Sequence, residues 1–293
     1  MTVRDANGRI VNAMSVDVEE HFQVGAFEHT VSRDDWPAME SRVEANTRRC
    51  LDLFESEGVS ATFFTLAWVA ERAPGLMREI VSRGHELASH GYAHDRVHSF
   101  SPEEFRADIR KARAIIEDVS GAKVAGYRAP SFSIGKDNRW ALDILAEEGY
   151  LYSSSVAPIQ SDHYGWPDAP RFTFQPVDGA DMIEIPVSTV EVAGKRFASG
   201  GGGYFRLLPY SAFAWAIRRL NRQEGRSAMF YFHPWEVDPD QPRFDDAPLK
   251  SRFRHYTNLD RMEGKLRQVL RDFSWDRVDR VFLPDRQSIS QAA

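Results

Sequence analysis

Two carboxylates stand two positions apart where a hydrophobic run ends. In SVDVEE, residues 15–20, Asp17 and Glu19 follow apolar residues that are typical of a buried β-strand. Side chains alternate along a strand, so we expect Asp17 and Glu19 on the same face. Taken alone, the pair is equally compatible with an inert strand exit that is surrounded by water.

Two histidines four positions apart form a second candidate group. In SHGYAH, residues 89–94, His90 and His94 can meet on one helical face or across a tight loop, close enough to share a metal ion. A mixed set of two histidines and a carboxylate with open positions is typical of a catalytic metal site. Because the pair follows a predicted strand, it is expected at the same edge as Asp17 and Glu19.

An arginine and a third histidine end two further predicted strands. Arg128 lies in YRAPSF, residues 127–132, and His233 lies in YFHPWE, residues 231–236, where Pro234 turns the chain away. Singly, Arg128 fits a surface ion pair and His233 fits a histidine satisfied near the core. Together, the signals at four strand ends describe a metal held by one carboxylate and two histidines, beside a second carboxylate, an arginine and a free histidine.

The elements that position these residues alternate between strands and helices. Such alternation predicts repeated βα units and a mainly parallel sheet. We predict an α/β fold, a distorted TIM-like (β/α) barrel of about seven or eight parallel strands, because closure leaves no exposed edge and strand carboxyl ends supply barrel active sites. A doubly wound open sheet is the alternative.

The predicted elements follow hydrophobic runs, glycines and helix-start signals such as SPEE at residues 101–104. Strands are predicted at residues 10–18, 60–66, 86–89, 125–129, 150–154, 182–190, 227–233 and 280–283. Helices are predicted at residues 40–57, 74–83, 102–119, 136–148, 209–223 and 259–272. Residues 157–181 and 234–255 are predicted as long irregular segments, and residues 199–203 as a mobile or tightly turning link.

Composition excludes several classes of protein. The net charge of −6 over 293 residues lacks the basic footprint of a nucleic-acid binder. The single cysteine, Cys50, excludes an intrachain disulfide and a cysteine-based zinc site. No run resembles a signal peptide or reaches the about 18 apolar residues of a spanning helix, which predicts a cytoplasmic protein without a membrane span.

The four motifs, in this order, resemble those of the NodB-homology polysaccharide deacetylases, the fourth family of carbohydrate esterases. GGGGYFRLLPY and FHPWEVDPDQPR, at residues 200–210 and 232–243, resemble the branch associated with exosortase-linked exopolysaccharide clusters. The resemblance implies one catalytic domain over residues 1–293, with the motifs within residues 14–236 and residues 237–293 completing the barrel.

The resemblance also implies the metal ligands. Glu19, His90 and His94 would hold one divalent ion, Zn²⁺ in the first place, with Co²⁺, Fe²⁺ or Ni²⁺ as alternatives. A valine separates Asp17 from the next acid, whereas the family's first motif has adjacent aspartates, so Glu20 is an alternative ligand.

The catalytic roles follow from the same resemblance. Asp17 would be the general base, Arg128 would keep it ionised and oriented, and His233 would be the general acid. A backbone N–H near Ser131 or Tyr92 would stabilise the oxyanion. In the family's fourth motif an aspartate precedes the serines, and here Tyr152 takes its place, which leaves substrate contacts from that strand in doubt.

Aromatic residues beside the motifs could stack on sugar rings, although each is equally compatible with covering the core. Tyr204 and Trp235 are the best candidates, since each adjoins a glycine-rich or motif loop. The predicted substrate-binding residues are Tyr92, Pro130, Phe132, Tyr204 and Trp235.

The implied activity is metal-dependent removal of N-acetyl groups from amino sugars of an oligo- or polysaccharide, in exopolysaccharide biosynthesis and alongside membrane-associated polysaccharide synthesis. Hydrolysis of small cyclic amides on the same barrel is an alternative, which would need a closed pocket in place of an open groove. A non-catalytic carbohydrate-binding protein is a further alternative, and loss of the base or of a ligand would mark it. The sequence leaves the sugar, the linkage and the oligomeric state open.

Overall fold

The computed structural model describes residues 2–160 and 165–283. Its main element is an eight-stranded sheet in the order β10-β1-β2-β3-β4-β5-β6, with β9 also paired to β1, and a separate pair is formed by β7 and β8. The strands are β1 (Val11–Val18), β2 (Thr62–Thr65), β3 (Glu86–Ser89), β4 (Gly126–Tyr127), β5 (Tyr152–Ser153), β6 (Ile183–Glu184), β7 (Thr189–Val192), β8 (Lys195–Ala198), β9 (Met229–Phe232) and β10 (Ser274–Asp276).

Every pairing in the main sheet is parallel, and the sheet curls into a partial barrel with helices outside. The predicted distorted (β/α) barrel is therefore confirmed. The helices are α1 (Val43–Glu57), α2 (Ala67–Arg72), α3 (Pro74–Ser82), α4 (Pro102–Ser120), α5 (Trp140–Glu147), α6 (Gly202–Leu207), α7 (Tyr210–Arg222), α8 (Leu249–Tyr256), α9 (Met262–Asp272) and α10 (Val278–Phe282).

Strand β1 is the centre of the sheet, and all eight of its residues are buried. It pairs with β10 from Val11 to Ala13, with β9 from Ala13 to Val16, and with β2 from Ser15 to Val18. Alternate β1 side chains serve two cores: Val16 packs under the outer helices, whereas Ala13 belongs to a cluster that includes Phe64 and Met229. Asp17 lies four residues after Ala13 on the same strand, so its side chain is on the same, inner face of the sheet.

The helices begin and end at the signals that the sequence carries. A capping box at Ser101 starts α4, with Pro102 in its first turn, and Gly121 ends it with a φ of 72°. Gly58 ends α1 in the same left-handed conformation. These ends fix where the chain re-enters the sheet.

Two strand predictions were wrong. Residues 280–283 lie in α10 and in the turn after it, and β10 precedes them, because the pairing positions beside β1 are taken by Ser274–Asp276. Residues 182–190 form two elements, since β6 ends before Pro186 and β7 then turns at Ala193 and Gly194, both with positive φ, into an antiparallel hairpin with β8.

Two segments expected to be irregular contain helices. The predicted link at residues 199–203 runs into α6, which begins at Gly202. The stretch 234–255 holds a 3-10 turn at Pro234–Val237 and most of α8. No helix among residues 2–160 and 165–283 is long and apolar enough to cross a membrane. The single-domain prediction and the predicted 157–181 loop include residues that lie outside the described ones, among them 161–164 and 284–293, and both stay predictions.

Candidate active site

The carboxyl edge of the sheet brings the six predicted motif residues together. Each of three residues is the first after its strand: His90 after β3, Arg128 after β4 and His233 after β9. Asp17 lies in β1 and Glu19 directly follows it, next to β2 and β9. The carboxyl ends of parallel strands lie at the same edge of the sheet, so residues that are distant in sequence come together in one site.

Glu19, His90 and His94 form a cluster whose ligand atoms all lie within 4.8 Å of one another. Oε2 of Glu19 lies 3.0 Å from Nε2 of His94 and 4.0 Å from Nε2 of His90. This carboxylate oxygen is buried and has no hydrogen-bond partner. An unpartnered anionic oxygen facing two imidazoles fits a divalent cation, which would complete its coordination.

His90 is set up as a neutral ligand. Its Nδ1 lies 2.8 Å from the carbonyl oxygen of Arg128, so this nitrogen donates its proton there and Nε2 keeps its lone pair. Burial lowers the pKa of His90 to about 4. Burial alone would raise the pKa of Glu19, but the neighbouring His94 and His233 outweigh it and lower the pKa to about 2.

The alternative ligand, Glu20, points elsewhere. One carboxylate oxygen accepts from the hydroxyl of Ser41, and the other accepts from the backbone N–H groups of Arg42 (3.0 Å) and Val43 (3.2 Å) at the start of α1. Glu20 thus caps a helix N-terminus, where a carboxylate is favoured. Glu19 is the carboxylate that faces the histidines.

Asp17 is held by a fully buried arginine. Nη1 of Arg128 lies 2.5 Å from Oδ1 of Asp17 and 2.9 Å from Oγ of Ser15. Its Nε and Nη2 donate to the carbonyl and the hydroxyl of Ser154, and the guanidinium carbon lies 3.9 Å from the ring centroid of Phe64. This many partners leave Arg128 one orientation, and that orientation fixes the Asp17 carboxylate.

His233 faces the two carboxylates from β9. Its Nε2 lies 3.6 Å from Oε1 of Glu19 and 4.0 Å from Oδ2 of Asp17, while Nδ1 lies 2.8 Å from Oε1 of Glu236. The ring stacks on Trp235 at 5.0 Å. Burial lowers the pKa of His233, but Glu19 and the hydrogen bond with Glu236 outweigh burial and raise it to about 9. The contacts with Glu236 and Glu19 thus favour the protonated imidazole.

These side chains line a cavity of about 590 Å³. Asp17, Glu19, His90, His94 and His233 form its floor. The walls come from the loops after β1, β3 and β4, from β9 and the turn after it, and from the start of α8. The wall residues are Val24, Gly25, Ala26, Glu28, His29, Thr30, Arg96, Ser131, Phe132, Tyr231, Trp235, Pro248, Lys250, Ser251 and Arg254.

Two of the five predicted substrate-binding residues, Phe132 and Trp235, line this cavity, and three do not. The Tyr92 hydroxyl donates to Glu71 at 3.0 Å, and its ring lies under the ammonium group of Lys111 at 3.3 Å. Pro130 is buried, and Tyr204 is 48% exposed on α6. None of Tyr92, Pro130 and Tyr204 lines the cavity, and substrate contact by these three residues stays a prediction.

The backbone near the cavity is strained. His94, Ser131 and Phe132 have φ values of 59°, 55° and 49°, in the left-handed region that residues with a Cβ disfavour. Such conformations cost about 1–3 kcal/mol each and cluster at functional sites. The N–H of Tyr92 donates to Asp108 at 3.3 Å, whereas Ser131 lines the cavity. Of the two residues, Ser131 lines the cavity and Tyr92 does not, and oxyanion stabilisation stays a prediction.

Sequence reasoning missed Glu236, Arg206 and Tyr231. Glu236 was visible in the last motif, three residues after His233, the spacing that lets a 3-10 turn bring the two side chains together. Arg206 follows the glycine run, but nothing local marks its partner 30 residues away.

Comparisons with known proteins agree with this geometry. Residues 29–152 match the family described as polysaccharide deacetylase, and residues 154–283 match a domain of unknown function, DUF3473. Asp17, Glu19 and His233 lie outside the first of these matches.

Among curated relatives, a peptidoglycan-N-acetylglucosamine deacetylase of Bacillus cereus is 30% identical over 111 residues, 38% of this chain and 38% of that protein. A chitooligosaccharide deacetylase of Bradyrhizobium sp. is 31% identical over 134 residues, 45% of this chain and 54% of that protein. The matches thus span less than two thirds of these relatives.

The fold has a solved counterpart in a Mycobacterium smegmatis protein assigned to the polysaccharide deacetylases. The two share 20% identity with a TM-score of 0.62, over 98% of this chain and 94% of that one. This likeness concerns the fold. The resemblance to the exosortase-linked branch stays a prediction. Residues 29–152 of the chain are thus similar to the polysaccharide deacetylase family.

Proposed function

We propose that this chain hydrolyses the N-acetyl amide of amino sugars in an oligo- or polysaccharide, with a divalent metal ion held by Glu19, His90 and His94. One observation carries the proposal. Asp17, a carboxylate fixed by an arginine, lies 4.0 Å from Nε2 of His233, an imidazole fixed by a carboxylate. The same Nε2 lies 3.6 Å from Oε1 of Glu19, a member of the candidate metal cluster. A binding protein has no use for a base and an acid so placed.

The residues divide the reaction between them. A bound divalent ion would supply a Lewis acid for the acetamide carbonyl and the attacking water. Asp17 takes a proton from that water, and Arg128 holds the Asp17 carboxylate in place. His233 gives its proton to the departing sugar amine as the C–N bond breaks, which leaves acetate and a free amine. Ser131 lines the cavity, and its backbone N–H is the candidate donor to the oxyanion.

The wall of the cavity supports a sugar as the substrate. Trp235 and Phe132 present aromatic surface beside the floor, and α8 with residues 24–30 forms an outer wall. Relatives described as chitooligosaccharide and peptidoglycan-N-acetylglucosamine deacetylases support the same substrate class. The motifs at residues 200–210 and 232–243 support a role in exopolysaccharide synthesis.

Acetate release from a panel of N-acetylated oligosaccharides tests the proposal. The protein is stripped of metal and reloaded with Zn²⁺ or Co²⁺, and Asp17→Asn is the control. We expect metal-dependent acetate release that the variant lacks. Ring opening of cyclic amides, assayed alongside, would replace the substrate class if it were the only turnover. No turnover and no metal retained would overturn the proposal.

A further inference from the structure

We propose that Arg206 and Glu236 are positioning residues for His233, and that the glycine run at residues 200–203, where α6 begins, lets Arg206 reach Glu236. The inference rests on the proposed function, in which His233 is the general acid. It gives the region matched as a domain of unknown function a definite task, since all three side chains lie within residues 154–283.

Glu236 accepts two hydrogen bonds from His233. Its Oε1 accepts from Nδ1 of the ring at 2.8 Å and from the backbone N–H of the same residue at 3.0 Å. The carboxylate is fully buried. Two contacts from one oxygen to one residue hold the ring against rotation, and Nε2 then points towards Asp17 and Glu19.

Arg206 fixes the other oxygen of that carboxylate. Its Nε donates to Oε2 of Glu236 at 2.7 Å, and the side chain is only 1% exposed. The remaining N–H groups donate to the carbonyls of Arg254 (3.0 Å), His255 (3.0 Å) and Thr257 (2.6 Å). A buried guanidinium is tolerated only when it is paired and hydrogen-bonded, and these contacts meet that requirement in a single geometry.

The glycines explain how α6 comes close enough. A Cβ at Gly202 would overlap the carboxylate of Glu236, and one at Gly200 would overlap the carbonyl oxygen of Met229. One at Gly201 would lie 2.8 Å from the Tyr231 hydroxyl. These three glycines are not among those with positive φ, so close approach to β9 and its turn requires them. Gly203 has open space around its Cβ position.

An aromatic ring also packs against the face of the His233 imidazole. Trp235 stacks on His233 at 5.0 Å and on His255 at 4.0 Å, both with rings inclined by 17°. The carbonyl of His255 accepts from Arg206. The loop after β9, α6 and the end of α8 therefore form one assembly around the imidazole.

The test compares neighbouring glycines in the metal-loaded enzyme. Gly202→Ala places a methyl group against Glu236, whereas Gly203→Ala adds the same atom in open space on the same helix. We expect Gly202→Ala, Arg206→Met and Glu236→Gln to lower kcat by about 10- to 100-fold. KM and metal content should remain those of the wild type, and Gly203→Ala should keep wild-type kcat.

Two further measurements separate positioning from general damage. In the double variant Gly202→Ala/Glu236→Gln, the loss should be no greater than in Glu236→Gln, because both changes break the same contact. Arg206→Lys, which keeps the charge, should recover part of the kcat that Arg206→Met loses. Arg171→Met breaks the ion pair of Arg171 with Glu224, away from the cavity, and serves as the control for a lost arginine.

The ring N–H proton of His233 in NMR spectra provides a readout that needs no turnover. We expect a slowly exchanging, hydrogen-bonded Nδ1 proton in the wild type and its loss in Glu236→Gln. Equal kcat in the two glycine variants, losses confined to KM or metal content, or an unchanged proton signal would overturn the inference. A wild type that shows the signal but releases no acetate would overturn the proposed function and leave the His233 contact standing.

Discussion

At the scale of single residues, the site depends on the partners of its buried charges. Arg128 is completely buried and pairs with Asp17, whereas Glu20 accepts hydrogen bonds at the start of α1 and the neighbouring Glu19 faces His90 and His94. Neighbouring residues of one type therefore have separate tasks. Two predictions follow from this division.

The Asp17–Arg128 pair should dominate local stability. Arg128→Met leaves the Asp17 carboxylate buried without its partner, and removing one member of such a pair costs about 3–5 kcal/mol. We expect a loss of that order in the free energy of unfolding, measured by urea denaturation. The double variant Asp17→Asn/Arg128→Met should recover much of the loss, because no unpaired charge remains. Equal stability of the single and double variants would contradict the assignment.

Glu19 and Glu20 provide a matched pair for metal binding. Glu19→Gln removes the anionic oxygen beside His90 and His94, so the purified protein should retain little divalent metal by elemental analysis. Glu20→Gln should retain the metal and instead lower the unfolding free energy by about 0.5–2 kcal/mol, since the cap of α1 is weakened. The reverse pattern would exchange the two roles.

At the scale of elements, strand β1 and its partners set the geometry. His90, Arg128 and His233 each follow a strand directly, so the sheet register sets the distances between them. Hydrogen bonds that fix where a strand begins therefore affect the site as well as the fold. The hydrogen bond at His85, just before β3, can be tested.

His85, just before β3, should make stability depend on pH. Its Nδ1 accepts from the N–H of Ala61 at 3.0 Å, its ring packs against Phe54 and Phe63, and burial lowers its pKa to about 4. In the unfolded state the imidazole has a pKa near 6.5. Between about pH 6.5 and pH 4 the unfolded state therefore binds a proton at His85 that the folded state does not bind. Stability is lost as pH falls from about 6.5 towards about 4.

Urea denaturation of the wild type and His85→Gln at pH 7.5 and pH 5 measures this effect. The wild type should lose about 2 kcal/mol more than the variant between the two pH values. Comparison with the variant cancels the opposite contribution of Glu86, whose pKa burial raises to about 8. Parallel pH profiles would contradict a buried, neutral His85.

At the scale of the whole molecule, one sheet joins the two regions that the family comparisons separate. Strands β1 to β5 lie at or before residue 153, whereas β6, β9 and β10 lie in the region matched to the domain of unknown function. Strand β1 pairs with members of both groups. The floor of the cavity is likewise shared, since His233 comes from the second region.

A fragment of residues 1–152 should therefore not fold alone. Without β9 and β10, the fully buried β1 would lose two of its three partners and expose an apolar edge. We expect the fragment to unfold without a cooperative transition and to be digested rapidly in limited proteolysis. A fragment with a cooperative transition and a bound metal would show that the first region is an independent unit.

The sequence by itself determined the kind of fold and which polar residues meet at the edge of the sheet. Alternating hydrophobic periods and helix signals are local, so they predicted the parallel barrel. Polar residues directly after apolar strands marked Asp17, Glu19, His90, Arg128 and His233, because strand ends converge in such a sheet. Short strands and turns were harder: the β7–β8 hairpin and α10 depend on which backbone groups are left to pair.

Only the tertiary structure decided which side chains meet. Glu19 and Glu20 are the same residue type in adjacent positions, and packing of α1 against the β1 exit separates them. Phe132 reaches the cavity while Tyr92 turns to Lys111, a choice made by neighbours distant in sequence. The Arg206–Glu236 contact requires close approach of α6 to β9. Such contacts join residues that are distant in sequence, so no local pattern of the sequence predicts them.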